Sequence, residues 1–237
     1  MKADLHTHTC YSYDSNASPR EMVDAAIKKG VSCLAITDHG KIQGAIEAME
    51  YARGKPILII PGIEVKSKEG DILALNVKEK IPNKLSAKET IKKIKEAGGL
   101  AIIPHPFGWF CSFNGDLEGL IKEIDGIEIF NASLFGGNEK ALAFARQHNL
   151  PWTCGSDAHF PNFVGKCYLE IPGRHPPTTL PSEGWAPNLT AEEVLTIIKN
   201  KGAKINGKEA NFFEKVIDHA KRNLAKIQNA SRTKSKI

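Results

Sequence analysis

Eight side chains of this 237-residue sequence have the types and spacing that gather metal ions. They are His6 and His8 in Asp4-Leu5-His6-Thr7-His8, Asp14 just beyond, His39 in Thr37-Asp38-His39, Glu64 in Gly62-Ile63-Glu64, His105 in Pro104-His105-Pro106, and Asp157 with His159 in Asp157-Ala158-His159. Side chains alternate along a strand, so His6 and His8 point the same way, as do Asp157 and His159. Each pair can grip cations from one rigid segment. Mixed imidazole and carboxylate donors suit zinc, manganese or iron, whereas an all-oxygen set would suit magnesium or calcium. A cation held this way lowers the pKa of a bound water toward neutrality and so can supply hydroxide for a hydrolysis. The other three histidines, His148, His175 and His219, lack such neighbours and are expected at the surface.

For residues scattered over the chain to meet, the elements must bring strand ends together. Strand-like and helix-like segments alternate from end to end. Strands are expected at 4–8, 33–37, 57–65, 72–77, 100–104, 127–131, 152–157 and 167–171. Helices are expected after the capping boxes Ser18/Glu21, Ser86/Glu89 and Thr190/Glu193, and also at 42–52, 117–124, 139–148 and 209–228. A Pro-rich loop fills 172–188. Such alternation calls for parallel strands joined by right-handed crossovers, in a closed barrel or an open doubly wound sheet. In a parallel β/α barrel the C-terminal strand ends form one rim, where these ligands would converge.

Composition narrows the function classes. Hydrophobic residues are 41%, charged 25% and aromatic 7% of the chain, as in an average globular domain. No apolar run approaches the roughly 20 residues of a membrane span, and five cysteines without a C-x-x-C pair fit a reducing interior, so a cytoplasmic location is expected. The formal charge of +5 is uneven. Residues 220–237 carry six Lys/Arg and no Asp/Glu, which leaves 26 basic against 27 acidic residues, a net of −1, elsewhere. The chain therefore divides into a domain at 1–219 and a basic helix end and tail at 220–237. The tail is solvated or touches nucleic acid, and Leu224 and Ile227 would dock the last helix on the barrel. On this arithmetic, cutting after residue 219 should spare the hydrolysis of small esters. Dinucleotide and P-loop glycine patterns are absent, as is a G-x-S-x-G elbow, and Ser156 reads as an ordinary strand-end residue.

In these motifs the sequence resembles the PHP (polymerase and histidinol phosphatase) metal-dependent phosphoesterases. The likeness runs through D-L-H-T-H-T at 4–9 with Asp14, T-D-H at 37–39, P-G-I-E at 61–64, H-P at 105–106, G-I-E-I-F-N at 126–131 and G-S-D-A-H at 155–159. The resemblance implies a distorted seven-stranded β/α (TIM-like) barrel. It also implies one metal held by His6, His8, Glu64 and Asp157, a second held by Asp14, His39 and His159, and Glu64 as their bridge. Trinuclear relatives use the shared glutamate, the histidine of the H-P motif and a further histidine on the next strand. Here that position is Asn131, so two or three divalent ions (Mn, Zn or Fe) are implied, and Asn131 is expected to face substrate. Asp14 stands where trinuclear relatives have histidine, as in small stand-alone members acting on nucleotides or short oligonucleotides.

The expected activity is therefore hydrolysis of phosphate esters of nucleotides or short oligonucleotides, with Glu64, His105 and Asp157 as catalytic residues. Arg20 and Lys41 are candidate phosphate clamps, and Trp109, between Phe107 and Phe110, a candidate base platform. A phosphorylated small molecule or short nucleic acid is the expected partner, and no membrane is. The alternatives are a histidinol-phosphate phosphatase, a metal-dependent amidohydrolase and a non-catalytic nucleic-acid-binding PHP module. T-D-H on the second strand and G-I-E on the third do not suit the amidohydrolases, and the complete two-metal set does not suit the inactive module.

Overall fold

A computed structural model describes residues 1–172 and 189–234. The loop expected at 172–188 lies outside the described residues beyond position 172, as does His175. Nine strands form one sheet, nearly closed into a barrel: β1 Lys2–Asp4, β2 Cys33–Ile36, β3 Leu58–Lys66, β4 Asp71–Leu75, β5 Leu100–Ile103, β6 Gly126–Asn131, β7 Trp152–Gly155, β8 Cys167–Glu170 and β9 Lys204–Gly207. The helices are α1 Pro19–Lys28, α2 Gln43–Tyr51, α3 Ala87–Glu96, α4 Asn138–Gln147, α5 Ala191–Lys199 and α6 Phe212–Lys234. The three capping boxes start α1, α3 and α5 where the sequence placed them.

Strand order runs from β7 down to β1 and then on to β8 and β9. The ring closes where the chain beyond β1 meets the chain beyond β7, through a parallel bridge between Thr7 and Ala158 and a 2.8 Å bond from the His8 N–H to the Ala158 carbonyl. Buried Asp4 reinforces the seam. Its carboxylate accepts the Ser156 N–H (2.9 Å), the Ser156 hydroxyl (2.6 Å) and the Gly165 N–H (2.8 Å). Burial raises the pKa of Asp4 to about 6. Strand residues alternate between two apolar clusters. Leu34, Ile36, Ile63 and Val65 pack with α1 and α2, while Cys33, Ala35, Ile60 and Leu73 belong with α5.

The all-parallel expectation fails at β4, β8 and β9. Pairings β1–β2–β3 and β5–β6–β7 are parallel, but β4 runs antiparallel to β3 and β5. The cause is length: Ser67–Gly70 is a tight turn whose ends bond at 2.9 Å, too short for any crossover. The β8–β9 pair, also antiparallel, extends the sheet from β1. Strand β9 was not expected at all, and its Lys-Ile-Asn-Gly sequence has little apolar signal. The helix expected at 117–124 is only a 3-10 turn, Glu118–Leu120. No described helix is long and apolar enough to cross a membrane.

Tight backbone approach fixes the first strand's exit. A Cβ on Gly155 would lie 2.4 Å from the His6 Cβ and 2.9 Å from its backbone nitrogen. Gly155→Ala should therefore displace His6, lower thermal stability by about 1 to 3 kcal/mol and reduce bound metal. Calorimetry beside metal analysis checks both effects.

Candidate metal centre

Strand β1 ends at Asp4, so His6 and His8 sit on the chain just beyond it, on the rim. His39 follows β2, Glu64 lies within the long β3, His105 follows β5, and Asp157 and His159 follow β7. Two of these residues, His105 (φ 30°) and Asp157 (φ 51°), adopt the left-handed conformation that L side chains rarely take. Such strain costs about 1 to 3 kcal/mol per residue and persists only where the surroundings fix it.

Four histidines have their Nδ1 already engaged. His6 Nδ1 bonds Glu128 Oε1 (3.1 Å), His8 Nδ1 the Ser12 hydroxyl (3.1 Å), His105 Nδ1 the Cys111 carbonyl (3.0 Å) and His159 Nδ1 the Asp157 carbonyl (3.0 Å). A ring that donates through Nδ1 keeps its lone pair on Nε2. The Nε2 atoms of His6, His8 and His159, together with Asp14 Oδ1, are buried without a hydrogen-bond partner. Buried lone pairs without donors are costly unless a cation takes them. Three sets lie close enough to share an ion: His8, His39 and His159; His6, Glu64 and His105; His6, His8 and Asp157. Glu64 is central, with Oε2 3.5 Å from His6 Nε2, 3.3 Å from His8 Nε2 and 3.0 Å from His39 Nδ1, and Oε1 3.1 Å from His105 Nε2. Asp14 faces His39 Nε2 at 3.4 Å and His159 Nε2 at 3.2 Å. The residues present therefore fit divalent cations: buried nitrogen and oxygen donors converge, and hydrogen bonds fix their tautomers.

The carboxylates are held anionic, while neighbouring carboxylates draw His6 and His39 upward in pKa. Burial alone would raise the carboxylates, yet His159 and His39 hold Asp14 low, His39 and His6 hold Glu64 low, and Arg222 and His6 hold Asp157 low. Burial and the neighbouring His159 and His39 push His8 down to about 3, which keeps that imidazole a neutral ligand.

The structure brings together His6, His8, Asp14, His39, Glu64, His105, Asp157 and His159. The four substrate candidates stand apart from them. Arg20 lies 3.8 Å from Glu47 and over the Tyr51 ring. Lys41 lines a different hollow with Tyr11 and Lys80. Trp109 is 74% exposed and outside the metal cavity, whereas its neighbour Phe110 lines it. Asn131 is buried, donating its amide to Glu128 at 3.1 Å.

Two residues escaped the sequence reading. Glu128 accepts from His6 Nδ1, from the His105 N–H (3.0 Å) and from Asn131, so one buried carboxylate orients two of the candidate donors. Its signal was a charge inside the apolar strand Gly126-Ile127-Glu128-Ile129-Phe130, which burial permits only when the charge is paired. Arg222 on α6 reaches Asp157, with Nη2 2.8 Å from its carbonyl and Nη1 3.5 Å from its carboxylate, and also pairs with Asp218. Lys215, Asp218, Arg222 and Lys226 recur at helical spacing and all line the cavity. His219 is exposed, as expected, and also lines the cavity. The cavity holds about 280 Å³.

A PHP domain family model matches residues 4–146, and a PHP-associated model matches residues 136–200. An uncharacterized protein of Methanocaldococcus jannaschii is 43% identical over 142 residues, 56% of this chain and 82% of that one. The 5′-3′ exoribonuclease of Haemophilus influenzae is 34% identical over 105 residues, 43% of this chain and 38% of that one. A solved two-domain protein from Bacteroides vulgatus, containing a predicted PHP-like metal-dependent phosphoesterase, shares the fold at a TM-score of 0.70 and 19% identity, over 88% of this chain and 65% of that one.

The division at residue 219 cuts through α6, so removing 220–237 takes Arg222 from Asp157. We expect that truncation to lower activity, reversing the expectation from charge arithmetic. Glu128→Gln should keep the fold but weaken metal binding by about 10- to 100-fold, as loss of a ligand-orienting carboxylate does; equilibrium dialysis at fixed free metal measures it.

Proposed function

The chain belongs to the PHP family of metal-dependent phosphoesterases, and from that premise we propose that it hydrolyses phosphate esters of nucleotides or of short oligonucleotide ends. The observation that carries the reading is the set of buried, unpartnered imidazole nitrogens gathered with Glu64, Asp14 and Asp157 beside a cavity lined by both carboxylates and cationic side chains. His6, His8, Glu64 and Asp157 would hold one cation and Asp14, His39 and His159 another, with Glu64 shared between them. When bound, the pair would supply an activated water and neutralise phosphate charge.

The chain's own residues do the rest. Lys66, Arg222 and Lys226 line the cavity, and although Lys66 pairs with Asp71 and Arg222 with Asp157 and Asp218, their cationic heads can meet a phosphate dianion. Arg222 also holds Asp157 in place, and Asp38 fixes the first loop. It accepts from the Thr9 N–H (2.6 Å), the Thr9 hydroxyl (2.7 Å) and the Ser12 hydroxyl (2.7 Å), while Ser12 in turn orients His8. His105, drawn upward in pKa by the Cys111 side chain and Glu64 against the opposing effect of burial, can carry a proton at Nε2 for the departing alcohol. Tyr13, stacked on His39 at 4.7 Å, and Phe110 put aromatic surface at the mouth, where a base can lie. The partial likeness to an exoribonuclease supports a nucleic-acid-derived substrate.

Glu64→Gln should leave the circular dichroism spectrum unchanged and remove nearly all phosphoesterase turnover, because an amide bridges cations poorly. Wild-type turnover in that variant, with manganese supplied, would refute the shared-ligand assignment. The substrate class is tested by kcat/KM for a nucleoside monophosphate, a short 5′-phosphorylated oligonucleotide and histidinol phosphate. We expect the nucleotides to be preferred. Phe110→Ala should lower that preference by about 5- to 150-fold, the worth of one stacked base, and Trp109→Ala should leave it unchanged. A preference for histidinol phosphate would overturn the substrate reading.

A further inference from the structure

Helix α6 carries its polarity the opposite way round from a surface helix. Lys215, Asp218, Arg222 and Ala225 face the barrel, and Lys215 and Arg222 reach the Leu134 and Asp157 carbonyls. On the opposite face stand Phe213, Ile217, Ala220, Leu224, Ile227 and Ser231, all exposed. Their spacing is 4, 3, 4, 3 and 4, the heptad period of a helix that packs along another helix. Leu224 and Ile227 thus point away from the barrel they were expected to dock against.

From this face we propose that α6 is a dimerisation element, its apolar seam packing along α6 of a second copy of the chain. Length selects the occupant. The seam runs over 213–231, roughly 27 Å at the α-helical rise, whereas the other described helices have only 9 or 10 residues. Area agrees. Phe213, Ile217, Leu224 and Ile227 on the seam and Val216 beside it are 44 to 76% exposed, leaving roughly 500 Å² of apolar surface, within the upper part of what monomers leave uncovered. That is more than half of the roughly 800 Å² each partner gives to a stable interface. Charge also permits it: the positions flanking the seam are Glu214, Val216, Lys221, Asn223, Gln228 and Ala230, with no pile-up of one sign. A membrane-surface helix would need its Lys/Arg face free and its apolar face broad. Here the polar face is docked, and the apolar stripe narrows to a single seam beyond Ile217. Because this same helix places Arg222 on Asp157, pairing would also hold the metal cavity's wall in place.

Sedimentation velocity on the full, metal-loaded chain tests this. We expect the wild type at dimer mass and Ile217→Glu with Leu224→Glu at monomer mass, with unchanged circular dichroism and metal content. A monomeric wild type overturns the proposal outright, as does a folded double variant that stays dimeric. Should the glutamates unfold the chain, Ile217→Gln with Leu224→Gln replaces them under the same two criteria. A monomeric wild type that co-sediments with anionic phospholipid vesicles would assign the seam to a membrane surface instead.

Discussion

Buried imidazole nitrogens with no donor to meet them are the constraint around which this protein is arranged. His6, His8 and His159 each spend one ring nitrogen on a hydrogen bond and turn the other into a dry centre shared with Glu64, Asp14 and Asp157. Such a centre is unfavourable for a folded chain by itself and favourable once divalent charge occupies it. Glu64 and Asp14 draw His39 upward in pKa against the opposing effect of burial, and because a proton and a cation compete for the same imidazole nitrogen, metal affinity is expected to fall as pH is lowered.

The barrel serves that centre. Parallel pairs β1–β2–β3 and β5–β6–β7 put their C-terminal ends on one rim, and the antiparallel β4 completes the ring between them without supplying a ligand. Closure occurs beside the site, at Thr7 and Ala158, so the residues that finish the fold are chain neighbours of His6, His8, Asp157 and His159. Left-handed backbone at His105 and Asp157 is affordable there because Glu128 and Arg222 hold each in place.

Legibility in the sequence followed how local each signal was. The clustering of the candidate metal-holding residues was readable because most sit in short motifs at or near strand ends, and the capping boxes were readable because their partners are three residues apart. Pairing direction at β4 was readable only from the length of the Ser67–Gly70 turn, which outweighs the general rhythm of alternation. Arg20 and Lys41 illustrate the weakness of charge as a guide: position near a strand end in sequence says nothing of the side a side chain faces, and Glu47 and Tyr51 claim Arg20. Arg222 was hidden inside a basic run that composition alone reads as a tail. What distinguished it was its helical register with Lys215 and Asp218, which only the docked helix makes meaningful. Apolar periodicity on α6 was equally visible, but which face meets the barrel depends on the ion pairs beneath it.

The most direct test is metal stoichiometry in the folded chain. Protein stripped with a chelator, reloaded with manganese or zinc and dialysed free of excess should retain at least two ions per chain by elemental analysis, with a rise in melting temperature over the stripped form. Retention of less than one ion per folded chain, with no change in melting temperature, would contradict the account at its root.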